Sequence, residues 1–407
     1  MKHSLHHIYV GPKNNNLREV YWAMSVHTFA FGLLAIFVPI YLYGLGFSLR
    51  QILFFYTIYY IFSSVSEYVA GRLAARFGVN HIFSLSFPLT AIGLFFLLTI
   101  HNLHWPLWIL ALAMAFPNGL FWVPYDDEFS KSKHKKTAGS EIGKLAILVS
   151  LFGALAPMIG GIVAEQFGFS MVIVICMCLL LAAMLPIFKR RDMIKKEPLN
   201  MRAFLAKDNI KNAIAYGGYG FEGNASNVVW PLFLFLIVGE YKQVGFIATM
   251  SLLAAIIVTL FIGKMSDKHD KKKLLKTGTF LNFSTGVGRT VVTTASAAYV
   301  AGMLSAISHI FVFIPFISKF FLNADRDRRT EYVVGMEMST DFIRAIYFLI
   351  LFGATFFFGN ALVLTIGIAL GAAGVFLTTL INNSGQESGK NLPKQIKTHR
   401  EIAKARI

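Results

Sequence analysis

Charge is scarce in this chain. Only 14% of its 407 residues are Asp, Glu, Lys or Arg. A soluble domain carries roughly 25%, so an ordinary water-facing surface is excluded. Acidic residues are the rarer sign, 21 against 38 Lys and Arg, which leaves a formal charge of +17. Cysteine is nearly absent. Cys176 and Cys178 lie two apart inside one apolar run, on different helical faces, so they cannot bridge each other and a disulfide-stapled secreted scaffold is excluded. The long runs lack the apolar–polar alternation of a membrane β-barrel. The first 18 residues are polar and basic and show no cleavable signal-peptide pattern.

Apolar residues fill the space, at 56% of the chain with 39 Phe, and the mean hydropathy is +0.59. A helix needs about 20 apolar residues to cross a bilayer. Such runs fall at 20–43, 49–72, 80–100, 105–125, 141–165, 169–188, 212–238, 243–264, 275–294, 297–322, 333–357 and 360–381. The basic residues sort by the segments between these runs. Both tails and alternate connections hold 33 of them, the opposite connections hold only Arg50 and Lys242, and Lys144, Arg289 and Arg344 lie inside runs. The positive-inside rule therefore predicts cytoplasmic termini and basic loops, in an inner or plasma membrane. The charge excess is an orientation signal with affinity for the lipid bilayer as its side effect, and no nucleic-acid partner is expected.

The longest internal polar stretch divides the chain into a tail (1–18), a six-helix bundle (19–188), a basic linker (189–211), a second six-helix bundle (212–383) and a basic tail (384–407). Leu199, Phe204 and Leu205 suit part of the linker to an amphipathic helix lying on the inner leaflet. The halves echo each other. Gly-Arg-Leu-Ala-Ala-Arg-Phe-Gly (71–78) follows the second run and Gly-Lys-Met-Ser-Asp-Lys (263–268) follows the eighth, with Gly71 and Gly263 192 apart. Gly139/Glu141 and Gly335/Glu337 repeat a Gly-x-Glu opening 196 apart. Together with Pro157-x-x-Gly160-Gly161 and Phe167-Gly168, these features resemble the major facilitator superfamily over essentially the whole length. The resemblance implies an all-α polytopic membrane protein with twelve transmembrane helices in two pseudo-symmetric bundles. It also implies secondary transport of a small-molecule substrate by alternating access. It assigns Gly71, Arg76, Gly263, Asp267 and Lys268 to the cytoplasmic gate. The first copy departs from the family pattern, with Ala75 at its Asp position. The antiporter signature is incomplete at Phe152 and Ala156, so antiport is not favoured.

Ionisable groups inside a bilayer cost about 2.5–3.5 kcal/mol by insertion scales, so they mark the places to look for function. Glu222 lies roughly eleven residues into the seventh run, or ~15 Å along a helix, near the midplane of a ~30 Å core. Around it Tyr216–Asn227 is rich in Gly and polar groups, including Asn224 and Asn227. The Gly218/Gly220/Gly223 spacing has no strand before it and is not a dinucleotide loop. Glu222 is either a cavity-facing site residue or half of a structural ion pair. Glu337, Asp341, Arg344 and Phe348 share one helical face. Arg344 either neutralises Asp341 locally or meets Glu222. Glu141 and Lys144 repeat the acid-x-x-base spacing, and Glu67 completes a set whose ion pairs form in one access state or stand as static neutralisation.

Glu222, Arg289, His309 and Arg344 resemble the charged constellation of proton-coupled sugar symporters in the superfamily. Val312 stands where those proteins place a carboxylate one turn after the histidine. By the same resemblance, the first and fourth helices line the cavity, making His27, Asn118, Trp122 and Tyr125 candidate contacts. Protons or another ion are the expected coupling partner, with a monomeric protein, no metal and no cofactor. The histidines at 3, 6, 7, 101 and 104 read as solvated. Alternatives are a multidrug-type efflux carrier and a non-transporting sensor or assembly protein on the same scaffold. An enzyme acting on lipid has only the Asp126-Asp127-Glu128 cluster behind it. With no nucleophile triad, phosphate loop or ATP-binding motif, neither catalysis nor primary pumping is expected.

Overall fold

The computed structural model describes residues 15–132, 139–188, 207–268, 271–324 and 329–381, together with Leu199, Met201 and Phe204. Among the described residues every regular element is helical. Helix α1 (Asn15–Leu34) runs through a 3-10 turn (Ala35–Phe37) into α2 (Val38–Gly44). Five helices complete the first half: α3 (Leu49–Phe77), α4 (Val79–Leu103), α5 (Leu107–Ser132), α6 (Gly139–Phe167) and α7 (Phe169–Phe188). Helix α8 (Lys207–Asn224) continues through a π turn (Ala225–Val229) into α9 (Trp230–Val238). Then come α10 (Tyr241–Lys268), α11 (Lys271–Arg289), α12 (Ala295–Ala324), α13 (Arg329–Ala354) and α14 (Asn360–Gly374), the last extended by a 3-10 segment (Val375–Leu380).

Joined end to end, these make twelve rods, six on each side of the linker. Nine described helical stretches are long and apolar enough to cross a membrane, and α7 adds a shorter apolar stretch, Phe169–Leu185. The two rods that fall short do so for visible reasons. Helix α11 opens on Lys271, Lys272, Lys273 and Lys276, and α13 carries Glu337, Asp341 and Arg344 through its middle. Between α3 and α4, and between α6 and α7, the chain reverses at Gly78 (φ 100°) and Gly168 (φ 81°). That left-handed region costs an L side chain energy that glycine does not spend.

The two halves pack alike. In the first, α1 lies on α6 and α7, α5 on α3 and α4, and α4 on α7. In the second, α8 lies on α13 and α14, α12 on α10 and α11, and α11 on α14. Each contact of one list is the other displaced by six rods, which is the three-dimensional counterpart of the sequence echo.

Two pairs, α3 with α13 and α6 with α10, join the halves. Small residues set their approach. A Cβ on Gly71 would stand 2.7 Å from Val334 Cγ2, and one on Gly161 would stand 2.6 Å from the Tyr241 carbonyl oxygen. The Pro157 ring interrupts the backbone ladder of α6, and the Met158 amide donates instead to Thr249 Oγ1 on α10 (3.0 Å).

The linker departs from expectation. Phe204 is buried against Gly335 and Tyr332 of α13, and Leu199 packs on α3 beside Gly71. Phe204 is thereby withdrawn from a lipid leaflet, while Leu199 is half-buried. Leu205 lies outside the described residues.

Candidate substrate and gating site

The seventh rod supplies the first cluster. Gly217 faces Ile343 and Gly220 faces Arg344, both on α13, while Gly218 faces Leu377 in the terminal 3-10 segment. Three missing Cβ atoms thus let α8 sit close to both neighbours. On the same helix Glu222 is buried, 5% exposed. His309 on α12 places Nδ1 2.9 Å from Glu222 Oε2. Ser226, in the π turn, donates from Oγ to Glu222 Oε1 (2.9 Å) and accepts from Arg289 Nη1 (2.8 Å). The Arg289 guanidinium also lies 4.9 Å over the Trp230 ring. Tyr219 Oη approaches His309 Nε2 at 3.4 Å. The result is a continuous polar chain across α8, α11 and α12. His309 keeps 26% of its side chain exposed, so the chain opens onto reachable space at that end.

This geometry sorts the alternatives left open by sequence. Arg344 pairs with Asp341 one turn away, Nη1 to Oδ1 at 2.8 Å, and not with Glu222. Arg289 is the last residue of α11, where the helix dipole favours a cation, and not a mid-helix group. The carboxylate that Val312 replaces on α12 is supplied to His309 from α8. Asn224 and Asn227 share the stretch, and Asn224 is buried with its Nδ2 lacking a protein acceptor.

A second cluster lies between the halves. Glu67 on α3 and Glu337 and Asp341 on α13 are buried, joined by Asp126 at the end of α5. Glu67 contacts Asp341, and Asp126 contacts Glu337, through their carboxyl groups. Arg344 is the guanidinium among them, 5.7 Å from the Tyr60 ring and 26% exposed. Nearby, Ser64 donates to the Met338 carbonyl (2.9 Å) and Thr330 donates to Asp127 (3.1 Å). The Ser64 and Thr330 hydrogen bonds tie α3 and α5 to α13, and each carboxyl pair adds to this only while one of its members is protonated.

The first half places its candidates differently. His27 is 7% exposed and stacked between Phe121 (3.6 Å between centroids) and Phe31 (4.4 Å). Asn118 donates to Ser63 Oγ (2.8 Å), which spends its amide on the α3–α5 contact. Trp122 and Tyr125 are half-buried around Phe121. Arg76 lies over the Phe77 ring at 5.1 Å, near the end of α3. The side chains of Glu141, Lys144, Gly263, Asp267 and Lys268 lie outside the described residues, so only their helices are placed. No group of three metal-ligating side chains is found among the described residues.

Ser226, Tyr219 and Trp230 were not singled out by sequence. A serine one turn after a buried carboxylate is the signal that would have found the first. An open, mostly apolar groove of about 670 Å³ between α11 and α12 is lined by Thr285, Gly288, Val291, Val300 and Leu304, and by none of Glu222, Ser226, Arg289 and His309.

Comparison with known proteins follows the geometry. No curated protein matches the chain. Among solved structures, the crystal structure of a variant of the nucleoside transporter NupG superposes with a TM-score of 0.67 at 13% identity, covering 91% of this chain and 100% of that one. At such identity the likeness is one of fold. The sequence pattern of the Major Facilitator Superfamily matches residues 20–330, and the chain belongs to that family.

Proposed function

We propose that this protein is a secondary active transporter that carries a small polar solute by alternating access, coupled to protons through Glu222 and His309. The end bearing the termini and the basic loops faces the cytoplasm. The two bundles rock about α3–α13 and α6–α10, and the charged groups of α3, α5 and α13 act as the gate on the cytoplasmic side. A solute drives such exchange only by binding the two states unequally, and charged mid-rod groups provide unequal contacts.

The observation that carries this reading is the Glu222–His309 contact at 2.9 Å, buried on the carboxylate side and open on the imidazole side. With Nδ1 facing Glu222 Oε2 at 2.9 Å, Nε2 accepts from Tyr219 when the ring is neutral and donates to its hydroxyl when the ring is charged. His309 therefore changes charge without losing a partner, as a group that takes up and releases protons during a cycle must. Arg289, reaching Glu222 through Ser226, keeps the carboxylate compensated in either condition.

Uptake by proteoliposomes tests the assignment. Nucleosides belong in the first solute set, because the solved relative of like fold transports them. Glu222→Gln is expected to lower uptake driven by an inward proton gradient at least about tenfold, while solute exchange without a gradient persists. Unchanged gradient-driven uptake would remove Glu222 from the coupling role.

A further inference from the structure

The end of the molecule opposite the termini carries two polar links between the bundles. At the start of α3, Ser48 and Gln51 form a capping box that fixes the first turn. Arg50 projects from that turn across to the other half. Its Nε donates to Thr355 Oγ1 and its Nη2 to the Thr355 carbonyl, both at 3.1 Å, and its guanidinium lies 4.2 Å over the Phe356 ring. Thr355 follows directly on α13, so this link spans the α3–α13 pair. On the other pair, Glu165 near the end of α6 accepts from the backbone amide of Tyr241 at 3.1 Å. Tyr241 opens α10, and an amide in a first helical turn has no acceptor within its own helix. Glu165 therefore caps a helix of the opposite bundle.

Beneath the links lies an apolar seal. The Tyr241 ring sits among Phe37 (5.8 Å), Phe169 (5.9 Å) and Phe235 (5.3 Å), contributed by both halves. Ile40 and Leu232, on the first and seventh rods, are 0% and 2% exposed. Arg50 is also one of only two basic residues predicted at this end, so its place is not accounted for by the orientation signal.

We infer that Arg50 and Glu165 form a paired clasp that holds the bundles together at the face away from the termini, and that both links must release before that face opens. The clasp rests on the alternating-access reading, but not on any solute or coupling ion. Each link is solvent-exposed and individually weak, which suits a latch that must be undone in every cycle. Because the links occupy the two inter-bundle pairs that the pseudo-symmetry exchanges, losing one leaves the other as a hinge, and losing both frees the face.

The test uses the purified full chain in detergent, with Cys176 replaced by alanine, Cys178 by serine, and one reporter cysteine introduced at a time. Ile40→Cys reports the clasped face, Leu232→Cys repeats it from the other half, and Ala74→Cys, at a site 8% exposed, reports the opposite face. The probe is a bulky polar maleimide. Arg50→Ala and Glu165→Ala are each expected to raise labelling at Ile40→Cys and Leu232→Cys about three- to fivefold, and the double variant about tenfold or more. Labelling at Ala74→Cys stays level or falls. Parent-like rates at both clasped-face reporters in the double variant would overturn the clasp and leave gradient-driven uptake untouched as a separate question. A rise at all three reporters would also overturn it, since that marks general loosening. Should Arg50→Ala fail to give monodisperse protein, Thr355→Val removes one of its hydrogen bonds and carries the same expectation at smaller size.

Discussion

One hydroxyl stands between two charges. Ser226 donates to Glu222 and accepts from Arg289, so its removal leaves a buried carboxylate oxygen and a buried guanidinium each short of a partner. Ser226→Ala is expected to lower stability by about 1–3 kcal/mol, read as a fall in thermal midpoint in detergent, with Ser226→Thr close to the parent. A fall in both variants would point to packing in the π turn and not to the hydrogen bonds. Asp341 and Arg344 allow a cleaner dissection. Asp341→Ala strands a charge and is expected to cost roughly 3–5 kcal/mol, whereas Asp341→Ala with Arg344→Ala costs less than the single change. Additive losses in that cycle would deny the pairing. At this scale the sequence was legible wherever partners share a helix. Asp341 and Arg344 lie three apart on one face, so the spacing offered their pairing as one of two readings, and the contact decides for it. Glu222 and His309 lie on different helices, and the missing carboxylate at Val312 suggested that the histidine lacks one. Only packing of α8 against α12 brings the pair together. The stacking of His27 with Phe31 and Phe121 is equally invisible along the chain, because Phe121 comes from α5.

Helices meet at glycine. Gly71 is half of the repeated signature, and its position against Val334 explains its chemistry without a ligand: any Cβ there enters the α3–α13 contact. Gly71→Ala is expected to destabilise by about 1–3 kcal/mol, with Val334→Ala restoring most of the loss in thermal midpoint. No rescue would mean that backbone conformation, and not the contact, sets the requirement. Nine of the expected spans were legible because apolar length is a one-dimensional property, whereas α11 and α13 fall short by that measure among the described residues. The internal breaks were not. The π turn at Ala225–Val229 falls in a stretch whose glycines announced bending, yet which turn would widen depends on Ser226 and Trp230 finding Arg289. The linker misled for a related reason. Leu199 and Phe204 are as apolar as a lipid-facing residue, and only the Gly71 and Gly335 gaps reveal that protein covers them.

The whole molecule repeats itself, and its function follows from how the copies meet. Six rods and their contacts recur in each half, and the halves meet most extensively along two pairs that exchange under the pseudo-symmetry. At one face the halves are held by Arg50, Glu165 and the Tyr241 seal. Nearer the termini they are held by the Ser64–Met338 and Thr330–Asp127 hydrogen bonds beside the cluster of Glu67, Asp126, Glu337 and Asp341, with Phe204 buried against α13. On the proposed alternating-access reading, contacts of such different chemistry at the two faces supply the unequal states of the cycle. The expected bundle division rests on the polar linker and the echoed motifs, whereas neither set of closing contacts was readable, since each joins residues from separate halves. Distances by electron spin resonance across the interface test the central claim most directly. One spin pair at Leu103 and Phe357, and another at Phe77 and Ile210, use exposed positions on opposite bundles. As pH is stepped or a transported solute is added, the account predicts that one distance lengthens while the other shortens. Two distances that stay fixed, or that lengthen together under every condition, would contradict it.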